Sequence, residues 1–339
     1  MSLPRIGVFD SGVGGLTVLR AMSAQFPAHY FYFGDTARLP YGTKSAETVA
    51  RYASGAARFL ESQNIDLLVI ACNSATALAL PQIQQAVKVP VVGVVEPGAA
   101  TASAISSSRS AVVIATEATV SSHAYREALN RYGMAAHEMA CPLLVPLVEE
   151  GWIDHPVTEQ VARIYLGEAF AAASDQADVL VLACTHYPLL APLLRRITPE
   201  HVAIVDSAES TSQAVGRSCK IRSVILSEVR TPWRPNEVEG PLWIRASHLP
   251  TTAPSASLSP TQPISSSASP LVSSAAKSIT WSTSTSGDKA SLWQGATSQP
   301  NEILFQTVLK GRSFSCAAQA LFFCHPERSP LRTESRDLI

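Results

Sequence analysis

The sequence has no C-x-x-C pair, no run of Lys and Arg, and no apolar stretch approaching the roughly 20 residues that cross a bilayer. Each absence excludes a class of function. Without paired cysteine motifs neither a zinc ribbon nor a thioredoxin-type redox site is expected, and the six cysteines, Cys72, Cys141, Cys184, Cys219, Cys316 and Cys324, are expected as free thiols. A formal net charge of -1, with no basic segment interleaved with aromatics, points away from nucleic acid and anionic membranes and toward a small-molecule partner. The opening MSLPRIGVFDSG enters a strand pattern without the basic segment, apolar core and cleavage site of a secretory signal, so a cytoplasmic protein is expected.

What the sequence does have is repetition. DLLVIACNSA at 66–75 and DVLVLACTHY at 178–187 share an opening Asp, an apolar run and a cysteine followed by small polar residues. IGVFDSG near the start pairs in the same way with VVIATEATVSSHAYREAL at 112–129, each preceding its cysteine strand by a similar distance. Up to about Gly216, β-branched runs alternate with helical stretches. The expected strands are IGVFD, HYFYFGD, LLVIAC, VVGVV, AVVIAT, HEMAC, VLVLAC and VAIVD, nearly all apolar on both faces as a buried parallel sheet requires. Helices are expected at 16–24, 46–63, 75–86, 121–132, 158–173 and 189–195.

The fold class is therefore α/β, with two pseudo-symmetric α/β domains of mostly parallel sheet and the active site in the cleft between them. The expected boundaries are 1–96 plus about 206–216 for the first domain and 97–205 for the second, with a hinge at the two crossings, near Glu96-Pro97 and Val205-Asp206. This arrangement sets Cys72 and Cys184 facing one another. Buried core positions are the alternative for both, since free cysteine is among the most buried residue types. Matched strand ends followed by Asn73-Ser74 and Thr185-His186 favour chemistry.

Two thiols across one pocket suit inversion of a carbon centre without a redox cofactor, in which one face loses a proton and the other gains one. One sulfur must be a thiolate and the other a thiol, and the helix N-terminus that follows each cysteine favours the anion. Asp10 and His186 are the candidate tuning groups, with an N-cap and a core hydrogen bond as their respective alternatives. Glu149 and Glu150 are candidates for a further carboxylate, or for a solvated loop. The turn DSGVGGLTVL lacks G-x-G-x-x-G spacing and suits a carboxylate better than a pyrophosphate. Tyr41 and Gly42 of the PYG loop, and the hydroxyls of Ser11, Ser74, Thr76, Thr119 and Thr185, are the remaining candidate donors, with local caps as the alternative for the hydroxyls. A metal site made of Cys72, Cys184, His186 and Asp10 has no regular ligand spacing behind it, and no metal is expected.

FDSGVGGLTVL, YFGDTARLPYG, ACNSAT, VVGVVEPG, VIATEATVSSHAY, CPLLVPLVEEG, and CTHYPLL followed by VDSAEST resemble the glutamate racemases in order and spacing over about residues 5–216. The resemblance implies an isomerase that interconverts L- and D-glutamate without a cofactor, supplying the D-isomer for peptidoglycan, and hence for the bacterial cell wall and cell shape. It implies that Cys72 acts on D-glutamate with Asp10 assisting, and Cys184 on L-glutamate with His186 and the first acidic residue of VEEG, Glu149, assisting. It further implies that Asp10 and Ser11 bind substrate, and that Tyr41-Gly42, Asn73-Ser74 and Thr185-His186 hold its carboxylates and ammonium. Ser74 and Ala183 stand where many members have Thr and Gly. The alternatives are an aspartate racemase-like enzyme and an inactive relative that only binds. A homodimer is left open.

After Arg217 the resemblance stops and the net charge changes from acidic to basic. From about Ser247 to Pro300 roughly half the residues are Ser, Thr or Pro, a composition that orders poorly. Residues 217–339 are thus expected to be an anomalous, largely disordered tail, arising from a shift of reading frame near Gly216 or from a natural extension. A frame shift predicts that another frame downstream of the Gly216 codon restores family-like sequence. Resequencing the gene across that codon checks it, and an intact frame with no such alternative excludes the shift.

Overall fold

The computed structural model describes residues 3–217 and three short segments, 243–245, 278–283 and 303–307. The first half runs β1 (Arg5–Asp10), α1 (Leu16–Gln25), β2 (His29–Gly34), α2 (Ala46–Glu61), β3 (Leu67–Ile70), α3 (Asn73–Ala86) and β4 (Val91–Gly93). The second runs α4 (Val95–Ile105), β5 (Ser110–Ala115), α5 (Glu117–Ser121), α6 (Ala124–Arg131), β6 (Ala135–Ala140), α7 (Leu144–Glu149), α8 (Pro156–Ala172), β7 (Val179–Ala183), α9 (Ala191–Ile197) and β8 (Ala203–Asp206). A final helix, α10 (Ser207–Arg217), returns to the first half, where Ala208 and Val215 join the core around Met22 and Phe26.

All eight expected strands form. They make two parallel sheets of the same topology, β4-β3-β1-β2 and β8-β7-β5-β6, so each strand of the second sheet occupies the place of the strand four earlier in the first. The duplicated apolar runs are β3 and β7, buried along their whole length because helices cover both faces. The Asp that opens each repeat fastens the chain beside it. Asp66 accepts the Arg5 amide at the start of β1 (2.8 Å). Asp178 accepts the Ser106 hydroxyl (2.6 Å) and the Ser107 and Ser108 amides (2.6 and 2.8 Å) just before β5.

Local structure departs from the sequence pattern in instructive places. The helix expected over 121–132 is split into α5 and α6 at His123, whose φ of 55° is left-handed. α3 begins two residues earlier than expected because Cys72 itself caps it, the sulfur accepting the Ala75 amide (3.4 Å). α4, α7 and α10 have no counterpart among the expected helices. Most of the tail expected to be disordered lies outside the described residues. Within it three strands are described, β9 (Trp243–Arg245), β10 (Ser278–Thr283) and β11 (Ile303–Thr307), which continue the first sheet in parallel from β2 in the order β11-β10-β9. Among the described residues no helix is long and apolar enough to cross a membrane.

Burial alone would raise the Asp178 carboxyl, but the hydrogen bonds from Ser106, Ser107 and Ser108 prevail and hold it down at about 2. A depressed carboxyl stabilises the fold above its unfolded value near 4, and the contribution disappears as pH falls through about 2. Asp178→Ala should therefore lower stability by about 1–2 kcal/mol at neutral pH, after discounting for partial exposure, and the difference from the parent should vanish by about pH 2. Urea unfolding of both proteins across pH 2–7 measures it.

Candidate active site

The carboxyl ends of the central strands β1 and β3 face those of β5 and β7. Each strand end delivers a functional group: Asp10 from β1, Cys72 just after β3, Thr116 after β5 and Cys184 after β7. The two cysteines are nearly closed off from solvent, at 5% and 6% exposure. Asp10 is fully buried.

The glycine turn after β1 explains how the halves approach so closely. A Cβ at Gly14 would overlap Thr185 Oγ1 and come within 2.7 Å of the His186 ring, and one at Gly15 would come within 2.5 Å of Asp10 Cβ. The hydroxyl of Thr17 crosses the gap to the Thr185 carbonyl (3.0 Å). The amides of this turn serve a carboxylate, as its composition suggested, but that carboxylate is the side chain of Asp10, whose Oδ2 accepts the Gly12 N–H at 2.9 Å. Burial pushes the Asp10 carboxyl up, while the charge of His186 and the amides of Gly12, Gly15 and Ser11 oppose the shift. Its Oδ1 has no hydrogen-bond partner among the described residues, which leaves it able to accept from an ammonium.

The two thiols have different company. Cys72 donates to the Ser11 hydroxyl (3.4 Å). Burial first, and then the Asp10 charge, push its thiol up to about 12 despite the Ser11 and Ala75 contacts. Cys184 lies 3.8 Å from His186 Nδ1. On the far side of that ring, Nε2 is 3.2 Å from Glu149 Oε1, an ion-pair distance without an aligned hydrogen bond. Burial disfavours the imidazolium, but Cys184 and Glu149 together prevail and push His186 up to about 10. Glu149 is thus the carboxylate brought to the site. Glu150 is exposed at the end of α7.

Ser74, at the start of α3, meets the second half in a triangle of hydroxyls with Thr116 (2.9 Å) and Thr119 (3.3 Å), which are themselves 3.0 Å apart. Gly42 packs against Thr116, where a Cβ would lie 3.0 Å from Thr116 Cβ. Two expected donors are otherwise occupied. The Thr76 hydroxyl donates to the Ile70 carbonyl (3.1 Å) and accepts the Val94 amide (3.4 Å). The Tyr41 phenol donates to buried Asp35 (2.7 Å), leaving its main chain as its contribution to the cleft. Asn73 is spanned by two hydrogen bonds, to Tyr125 and Ser207. Thr116, Tyr125 and Asp35 were not singled out in the sequence, although each lies in or beside a motif that was.

Two like α/β halves whose strand ends bring a buried cysteine each, with titratable neighbours, to one cleft define the class as a two-domain α/β enzyme. Consistent with this, a sequence model of the Asp/Glu/Hydantoin racemase family matches residues 6–215. The glutamate racemase of Koribacter versatilis is 65% identical over 219 residues, covering 64% of this chain and 75% of the relative. That of Geobacter metallireducens is 51% identical over 213 residues, covering 62% and 78%. Among solved structures, glutamate racemase from Thermus thermophilus in complex with β-chloro-D-alanine is 45% identical and superposes with a TM-score of 0.58, covering 66% of this chain and 82% of that one. The Francisella tularensis glutamate racemase in complex with D-glutamate is 32% identical with a TM-score of 0.59, covering 67% and 82%. The chain belongs to the glutamate racemases, isomerases that act on an amino acid.

A histidine raised to about 10 stays charged through neutral pH, and the stability it contributes is complete below about 6.5 and lost as pH rises through about 10. Glu149→Gln removes one of the two groups that hold it up. The His186 ring should then titrate lower by about one unit or more, read from its C–H resonances by NMR. An unchanged midpoint would exclude the ion pair.

Proposed function

We propose that this chain interconverts L- and D-glutamate by a two-thiol acid/base mechanism without a cofactor, the observation that carries it being two buried cysteines at matched strand ends, each with its own partner set. Substrate sits between the sulfurs. Its ammonium meets Asp10 Oδ1, and its carboxylates are held by Ser11, the Ser74–Thr116–Thr119 hydroxyls, Thr185 and the main chain of Tyr41-Gly42. With L-glutamate bound, the Cys184 thiolate takes the α-proton, and the Cys72 thiol delivers its own proton to the opposite face. The products are D-glutamate, a thiol at Cys184 and a thiolate at Cys72. D-glutamate reacts in the reverse sense. His186, held charged by Glu149, stabilises the anion at Cys184, while Asp10 and Ser11 assist Cys72. A Cys72 thiol pushed up to about 12 supports its starting role as the donor. The D-isomer would supply peptidoglycan synthesis in the cytoplasm.

The same reading divides the chain into a first domain, 1–96 with about 206–216, and a second, 97–205. Support comes from α4 packing on the second sheet through Val95, Ala99 and Ala102, and from α10 packing on the first.

Circular dichroism of L-glutamate incubated with the protein in deuterated water should show loss of optical activity as deuterium enters the α-carbon. Cys72→Ser and Cys184→Ser should each lower turnover by about 10²–10⁴-fold, the usual contribution of a positioned acid or base. A folded protein that leaves L-glutamate unchanged but racemises L-aspartate would reassign the substrate. Full activity in either variant would remove that thiol from the mechanism.

A further inference from the structure

Tyr125 is the residue whose placement the reaction above does not use. Its side chain on α6 is fully buried, and its hydroxyl leaves the second half to donate to Asn73 Oδ1 at 2.7 Å, one residue beyond Cys72. The amide of Asn73 is thereby oriented, and its Nδ2 donates to Ser207 Oγ (3.3 Å) at the start of α10. Both other members are buried as well, Asn73 at 3% and Ser207 at 0% exposure. The tyrosine ring also rests on α4, where a Cβ at Gly98 would lie 3.3 Å from Cε1 and from the hydroxyl. One phenol thus touches α4, at the first crossing between the halves, and connects through Asn73 to Ser207, at the second.

Burial first, and then the charges of Cys184 and Asp206, hold the phenol protonated well beyond the working range of pH, so it remains a donor to Asn73. The influence of Cys184 also places it within electrostatic reach of the second thiol.

We propose that Tyr125 is a positioning residue that sets the separation of the two thiols, holding the first turn of α3, and so Cys72, at a fixed distance from Cys184 through Asn73 and Ser207. The chain of contacts is short, two hydrogen bonds through one buried amide. Asn73 is the first helical residue after a cysteine that is itself the helix cap, so a shift of this first turn carries the sulfur with it. Without the hydroxyl, Asn73 Oδ1 is left buried and unpaired, and the amide turns to find another donor. The ring, which does the packing, is unaffected by that loss.

The inference rests on the racemase reading for its kinetic consequence, but its geometric consequence can be read without turnover. In the full chain, Tyr125→Phe should lower kcat for L-glutamate roughly tenfold with KM changed less than about twofold, short of the roughly hundredfold cost of a 1 Å misplacement. Alkylation of Cys72 by iodoacetamide, followed by mass spectrometry in the absence of substrate, should accelerate by a similar factor as the closed cleft loosens. In an Asn73→Ala background, Tyr125→Phe should add less than about twofold to either quantity, because the group it acts through is gone. Equal effects in both backgrounds, or unchanged kcat and alkylation in a folded Tyr125→Phe protein, would overturn the proposal. Should Tyr125→Phe fail to fold, Ser207→Ala tests the other arm: faster Cys72 alkylation is expected, and an unchanged rate would overturn it. If the parent protein does not turn over L-glutamate, the racemase reading fails by that control, while the alkylation series still decides the role of Tyr125.

Discussion

The chemistry of this molecule depends on how closely two parallel sheets can point their carboxyl ends at one another, and the limit is reached at Gly14. Any side chain there would overlap Thr185 and press on the ring of His186. Because the glycine is bare, the turn that carries Asp10 lies directly against the strand end that carries Cys184. The groups between them are buried, and burial then becomes the leading influence on them. It pushes up both Asp10 and Cys72. It also makes each remaining partner count for more, since an interaction between charges strengthens as the surroundings become less polar.

Duplication supplies the framework but not the electrostatics. β3 and β7 occupy equivalent places, and each is followed by a cysteine; beyond the sulfur the two halves diverge. On one side burial and the neighbouring Asp10 carboxyl keep Cys72 protonated, against the opposing contact with the Ser11 hydroxyl. On the other, Cys184 lies against an imidazole whose charged form is favoured by that cysteine and by Glu149. The duplicated Asp66 and Asp178 show the same principle at the opposite end of the strands, where one anchors a single amide and the other three groups. The backbone repeats because parallel strands must be covered and connected in the same right-handed way. Side chains at the cleft are free to differ.

What was legible in the sequence follows from this division. Strands buried on both faces appear as continuous apolar runs, so β1, β2, β3, β5 and β7 could be read directly, as could the cysteines that follow β3 and β7. Asp10 and His186 could be named because they stand at fixed offsets from those runs, whereas Glu149 was separated from Glu150 only by the resemblance to the racemases. The occupation of a side chain by a distant backbone group could not be read. Thr76 looks like any cleft hydroxyl until Ile70 and Val94 are seen to use it, and the phenol of Tyr41 is invisible as a partner of Asp35 until the loop is folded. Tyr125 eluded the reading for a related reason: its partner Asn73 lies 52 residues away, in the other half. α4 and α10 were missed because each is rich in small residues, Ala and Gly in the one and Ser in the other, which do not advertise a helix.

Under the proposed reaction, thermodynamics restricts what the unlike surroundings of the thiols can achieve. The two enantiomers have equal free energies in water, so kcat/KM must be the same in both directions whatever groups flank each sulfur. A charged His186 beside Cys184 therefore cannot make the enzyme a better catalyst for L-glutamate than for D-glutamate in that sense. It can decide only which sulfur holds the proton between turnovers. That preference moves saturation: the enantiomer matched to the resting form binds productively at once, and its mirror image binds a protein whose proton is on the wrong sulfur. The difference must then appear in kcat and KM together, in compensating amounts. An asymmetric pair of partners within a symmetric fold thus costs nothing in overall catalytic efficiency, which explains how the halves can diverge at the cleft while the sheets behind them remain alike.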